Sequence, residues 1–159
     1  MSAEFRVIDH PLVQHKMTYL RMADTTTDTF RRLVREITAM LAYEVTRDLQ
    51  TELIDVTTPV TSTQAPVIAG KKLCLVSILR AGNGMLDGMI DLLPAARVGH
   101  VGMYRDPDTL EPVEYYFKVP EDIQDRLVLV VDPMLATGNS AVAALTRLKQ
   151  AGATSIKMV

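Results

Sequence analysis

The sequence has a single cysteine, Cys74, among 159 residues. No internal disulfide is available, so the fold does not depend on an oxidising compartment. Cys74 lies in the apolar run from Leu73 to Leu79, where a free thiol reads as a small buried hydrophobe rather than a reactive group. No stretch approaches the ~20 apolar residues that span a bilayer. The N-terminus, Met1 to Arg6, lacks the apolar core of a secretory signal. The expectation is a cytoplasmic protein without membrane association. Positive charge is not in excess either: 17 Lys and Arg against 19 Asp and Glu leave a net charge of -2. A domain that grips nucleic acid by its phosphates shows a basic excess, so nucleic acid is not an expected partner. Internal repeats and low-complexity segments are absent, and no His/Cys cluster offers a transition-metal site. What is present is 48% hydrophobic and 23% charged residues, an ordinary globular composition. The length fits one domain with its own core.

Pro11 suits the first turn of a helix running to about Met22. Asp24 to Thr27 offers N-caps for a second helix, in which Phe30, Leu33, Val34, Ile37, Leu41 and Val45 form one apolar stripe at steps of three and four. Arg31, Arg32, Arg35 and Glu36 fall off that stripe, on a solvated face. Leu53 to Val56 reads as a strand, and Pro59 to Pro66 as a turn-rich connection. Gly70, Lys71 and Lys72 lead into a strand ending at Leu79. A flexible loop, Arg80 to Gly84, and a short helix from Met85 to Leu93 follow. Arg97 to Tyr104 reads as a strand, residues 105–120 as an excursion forming a hairpin arm, and Leu127 to Val131 as a buried parallel strand. Asn139 to Gln150 is expected to be helical, with Gly152 after its end, and a further strand begins at Ser155. This alternation predicts an α/β domain with a mostly parallel sheet and flanking helices. The expected organisation is a single domain over 1–159, with an N-terminal helical region over 1–50, an α/β core over 72–159 and a β-arm over 105–120.

The chemistry concentrates between Leu129 and Ser140. An apolar strand ends in Asp132. Pro133, Met134, Leu135, Ala136, Thr137, Gly138, Asn139 and Ser140 then lead into a helix. Ligands of open α/β sheets lie beyond the carboxyl ends of the strands, and a helix N-terminus offers unpaired N–H groups to an anion. Gly138 permits close backbone approach, Asn139 tolerates left-handed geometry, and Thr137 and Ser140 add hydroxyls. The segment reads as a phosphate cradle, with Asp132 as an acceptor for sugar hydroxyls. A plain strand–turn–helix capped by Ser140 is the simpler alternative. No lysine follows the glycine as in a Walker loop, and Gly82, Gly84 and Gly88 miss the dinucleotide fingerprint by one position.

Taken whole, Asp132 to Gly138 resembles the phosphoribosyl pyrophosphate (PRPP) motif of phosphoribosyltransferases, in the Asp-Pro form of the uracil phosphoribosyltransferase family. Ser77 to Gly82 resembles that family's pyrophosphate loop. Val101 to Arg105, with Thr109 to Pro112, resembles its second basic segment and β-arm. His10 to Val13 and Leu41 to Glu44 also match, so the resemblance runs from about residue 9 to 159. It implies a phosphoribosyltransferase-like fold and transfer of ribose 5-phosphate from PRPP to N1 of uracil, giving UMP and pyrophosphate in pyrimidine salvage. Asp132, Arg80 and Arg105 are the implied catalytic residues. The two arginines would bind pyrophosphate, Asp132 the ribose hydroxyls, and Ala136 to Ser140 the 5-phosphate. Mg2+ would be carried by the substrate rather than by a protein cage. The family also implies a homodimer or higher oligomer, with Tyr104, Tyr115, Tyr116 and Phe117 near its contact, and GTP as an effector in some members. His10, His15 and His100 receive no chemical role.

Two departures accompany the resemblance. Asn139 stands where many relatives have glycine, and nothing matches the loop that reads uracil. A fragment of a longer enzyme is the expectation, with a PRPP-binding module or pyrimidine-pathway regulator as the alternative. A transferase for another base is disfavoured by Asp132-Pro133 in place of two acids.

Overall fold

The computed structural model describes residues 4–70, 73–106, 108 and 112–159, the side chain of Arg105 excepted. Helix α1 (Pro11–Leu20) starts on proline, and the Leu12 amide donates to Nδ1 of His10, the N-cap, at 3.2 Å. Helix α2 (Thr27–Val45) buries Leu33, Val34, Ile37, Thr38 and Ala42, the face its periodicity predicts. Lys16 of α1 and Glu36 of α2 pair at 2.5 Å.

A five-stranded sheet forms the centre. Its strands are β3 (Leu73–Leu79), β4 (Arg97–Arg105), β5 (Pro112–Lys118), β6 (Leu127–Val131) and β7 (Ser155–Met158), in the order β5-β4-β3-β6-β7. All neighbours are parallel except β4 and β5. On one face Leu75, Leu129 and Val131 pack with Met85, Leu86 and Met89 of α3 (Asn83–Leu92) and with Val34 and Ala42 of α2. On the other, Cys74, Val76, Ile78, Val101, Val128 and Val130 pack with Ala144 and Leu148 of α4 (Asn139–Gln150). Cover on both faces explains the unbroken apolar runs of β3 and β6. Cys74 is fully buried, and burial pushes its thiol up to about 11. No helix among the described residues is long and apolar enough to cross a membrane.

Helices α2 and α3 cross at Gly88, where a Cβ would lie 2.4 Å from the Arg35 carbonyl oxygen. Arg35 is not merely solvated: its guanidinium donates to both Asp91 oxygens, at 2.5 and 2.8 Å.

One expectation is corrected. The stretch from Pro59 to Pro66 is not all connection: β2 (Ser62–Ile68) pairs antiparallel with β1 (Thr51–Thr57) as a separate two-stranded sheet. Both strands of such a ribbon are edges, so Pro66 need not interrupt a ladder. Within the stretch 105–120, the described residues Pro112–Lys118 form β5. β5 closes one edge of the central sheet against β4, in register from His100↔Lys118 to Arg105↔Pro112. Thr109, Leu110 and Glu111, which the resemblance placed between these strands, lie outside the described residues.

Candidate active site at the switch point of the sheet

From β3 the chain crosses over α3 to β4 on one side. It later enters β6 on the other side of β3 and crosses over α4, on the opposite face, to β7. The crossovers thus diverge between β3 and β6, the place where open α/β sheets bind ligands. Two loops meet there.

The first follows β3. Its Leu79–Arg80 peptide bond is cis. Arg80 and Ala81 are exposed, and the Arg80 guanidinium has no hydrogen-bond or ion-pair partner among the described residues. The Gly82 amide returns to the Ile78 carbonyl at 2.8 Å. The second follows β6. The Asp132 amide donates to the Val159 carbonyl at 3.1 Å, and the Val159 amide to the Val130 carbonyl at 2.8 Å, so the prolongation of β7 holds the strand tip. Asp132 Oδ1 accepts the Met134 amide at 3.2 Å. Partial burial raises the Asp132 carboxyl above the ordinary carboxylate range, and that amide bond offsets only part of the effect. Pro133 to Thr137 are exposed.

Gly138 is the N-cap of α4, with φ +81°, and no side chain caps the helix. Ser140 sits inside the first turn, so it does not serve as the cap. The first intrahelical bond runs from the Val142 amide to the Gly138 carbonyl at 2.8 Å. The amides of Asn139, Ser140 and Ala141 precede it and have no helical acceptor. Such a terminus presents aligned N–H groups to an anion. The first loop packs at Gly82 against the end of β6, where a Cβ would fall 2.5 Å from the Val131 carbonyl oxygen.

Beyond β3 and β4, Leu79, Arg80, Ala81, Met103, Tyr104 and Tyr115 line a cavity of about 600 Å³. A neighbour of about 520 Å³ shares Met103 and runs along α4 from Asn139 to Gln150. Arg80 and Asn139 therefore face adjoining spaces rather than one pocket, and Asp132 lines neither. Arg105 ends β4 at the same carboxyl edge. A bulge between Gly102 and Met103 sets Tyr115 out of alternation. A Cβ on Gly102 would meet the Tyr115 ring at 2.7 Å, and that ring lies 6.2 Å from Tyr104.

Three polar residues without an assigned role in the sequence reading prove to be linked. The fully buried Ser77 hydroxyl donates to Asn83 Oδ1 at 2.9 Å and lies 2.8 Å from His100 Nδ1. The available signal was a serine inside an apolar run: once buried, its hydroxyl requires partners. No group of three His, Cys, Asp or Glu among the described residues could hold a metal ion by itself.

Solved structures share this fold. A hypoxanthine-guanine phosphoribosyltransferase of Bacillus anthracis superposes with a TM-score of 0.57 over 80% of this chain and 64% of its own, at 12% identity, a likeness of fold alone. A structure of an Aquifex aeolicus protein is nearer, with a TM-score of 0.88 and 33% identity over 95% of this chain and 72% of its own. The fold is that of the phosphoribosyltransferases. The sequence model for uracil phosphoribosyltransferase matches residues 7–159. The uracil phosphoribosyltransferase of Brucella anthropi is 61% identical over 153 residues, 96% of this chain and 74% of its own. That of Rhizobium etli is 59% identical over 153 residues, 96% of this chain and 73% of its own. The chain belongs to the uracil phosphoribosyltransferase family, a family of pentosyltransferases, and spans about three-quarters of the length of these relatives.

Proposed function

We propose that the switch-point loops bind PRPP and Mg2+ for the transfer of ribose 5-phosphate to N1 of uracil, in a cytoplasmic pyrimidine-salvage reaction. The observation that carries this is the placement of an unpartnered-arginine loop, packed through Gly82 against the end of β6, and of the uncapped helix N-terminus that follows β6, both at the switch point. In the reaction the bond from C1 of the ribose to pyrophosphate breaks, and its electron pair leaves with the pyrophosphate. N1 of uracil bonds to C1 and gives up its proton. Positive charge develops on the sugar and negative charge on the leaving group. Arg80 and Arg105 oppose the negative charge with fixed cations. Asp132 accepts from ribose hydroxyls, while Ala136, Thr137, Gly138, Asn139 and Ser140 surround the 5-phosphate, with Pro133, Met134 and Leu135 shaping the loop between. Magnesium bound with PRPP would neutralise further phosphate charge. Positioning supplies much of the remaining acceleration.

The test is UMP formation from uracil, PRPP and Mg2+, with binding of labelled PRPP measured in the same samples. Arg80→Ala and Asp132→Ala are expected to weaken PRPP binding at least tenfold. Unchanged binding in both variants sinks this assignment. PRPP binding without UMP would favour a binding module or pathway regulator. Parallel runs with GTP test the effector that the family suggests. A homo-oligomer is also proposed, supported by the exposed Tyr104, Tyr115 and Tyr116. A monomer mass by sedimentation at assay concentration would overturn that part.

A further inference from the structure

Ser77 precedes the Arg80 loop on β3, and Asn83 follows it as the first residue of α3. Their 2.9 Å bond closes the intervening residues into a ring. The hydroxyl has one proton, and it goes to Asn83 Oδ1. His100, the β4 residue in register with Ser77, lies within 2.8 Å by its Nδ1. With Asn83 Oδ1 taking the serine proton, the contact is completed by a proton on His100 Nδ1 donated to the serine oxygen. The bonds therefore run in one direction, from His100 through Ser77 to Asn83, and polarise one another along the way. A neutral His100 is then the Nδ1-protonated tautomer.

We propose that His100, Ser77 and Asn83 form a clasp that fixes the Arg80 loop for the pyrophosphate of PRPP, making all three positioning residues for the reaction. This rests on the assignment of Arg80 to pyrophosphate. Arg80 and Ala81 are exposed, and the Arg80 guanidinium has no partner among the described residues to hold it. Its placement follows from the backbone of the loop. That backbone is pinned by the Gly82 amide bond to Ile78, by the tight fit of Gly82 against Val131 and by the clasp. Of these only the clasp reaches sideways to β4, the strand that ends in Arg105. The two arginines thus stand on elements joined through His100.

The experiment compares Ser77→Ala, Asn83→Ala, the double variant and Arg80→Ala, measuring affinity for PRPP with Mg2+ and, separately, for ribose 5-phosphate, which lacks the pyrophosphate. Each single clasp variant is expected to weaken PRPP about three- to tenfold, the range for one lost hydrogen bond. The double variant should lose no more than the worse single one, because both remove the same bond. Ribose 5-phosphate affinity should stay within twofold throughout. PRPP affinity unchanged in the clasp variants but weakened in Arg80→Ala overturns the clasp alone. Equal loss for both ligands also overturns it, as a general packing effect. An unchanged Arg80→Ala overturns the pyrophosphate assignment and the clasp's role with it. Asn83 is exposed, so Asn83→Ala keeps the test decisive should Ser77→Ala fail to fold. Nitrogen-15 NMR supplies a second readout: neutral His100 should be protonated at Nδ1, and a proton on Nε2 overturns the donor direction.

Discussion

At Gly82 the backbone φ is -60°, open to every residue type, so what the position demands is space. A methyl group there would meet the Val131 carbonyl at 2.5 Å and the Ile78 backbone at 2.8 Å, and backbone atoms cannot swing aside as a side chain can. Gly82→Ala should push the Arg80 loop away from the end of β6, costing about 1–3 kcal/mol and most of the PRPP affinity. A calorimetric melt and a binding titration check both. Asp132 makes the opposite trade. Burial raises its carboxyl in the folded state, so the folded protein holds this proton more firmly than the unfolded chain does. The associated stability is complete below the ordinary carboxylate value and is lost as pH rises through the folded-state value. Asp132→Asn should therefore raise Tm at pH 7, by a margin that vanishes in acid, while PRPP binding falls. A Tm at pH 7 below that of the parent would contradict this balance.

Among the elements, the α2–α3 crossing is the most sharply constrained. Alanine at position 88 would gain about 1 kcal/mol of helix propensity, yet its Cβ would lie 2.4 Å from a backbone oxygen, a contact no rotamer relieves. The clash should win, and Gly88→Ala should lower Tm by several degrees. The β1–β2 hairpin is the looser element. Its residues are mostly exposed, and Val60 at the tip is 93% exposed. A two-stranded ribbon is marginal on its own, so limited proteolysis should cut first near Val60 and leave the five-stranded sheet intact; a first cut inside β3 or β6 would refute this. The same elements show what the sequence makes legible. The α2 stripe and the β3 and β6 runs declare themselves, because one face or both must be apolar. β2 hides behind Pro59 and Pro66, since edge strands tolerate such residues. The clasp is hidden for another reason: Ser77, Asn83 and His100 carry no spacing rule, and only strand register brings them together.

For the molecule as a whole, Cys74 is a probe placed in the central strand. It is fully buried, and its thiol is pushed up to about 11. Labelling by a thiol reagent at pH 8 should proceed at the rate of global opening and rise with denaturant in step with loss of structure; fast labelling of the native protein would show that β3 opens locally. The strand order carries one more consequence. β3 has β4 on one side and receives β6 on the other only after the hairpin of β4 and β5 has been made. As the chain emerges from the ribosome, an apolar strand must wait with one unpaired edge until Leu127 to Val131 appear and fill the gap. The site cannot assemble before that insertion, and until then β3 keeps an unpaired apolar edge of the kind that invites aggregation.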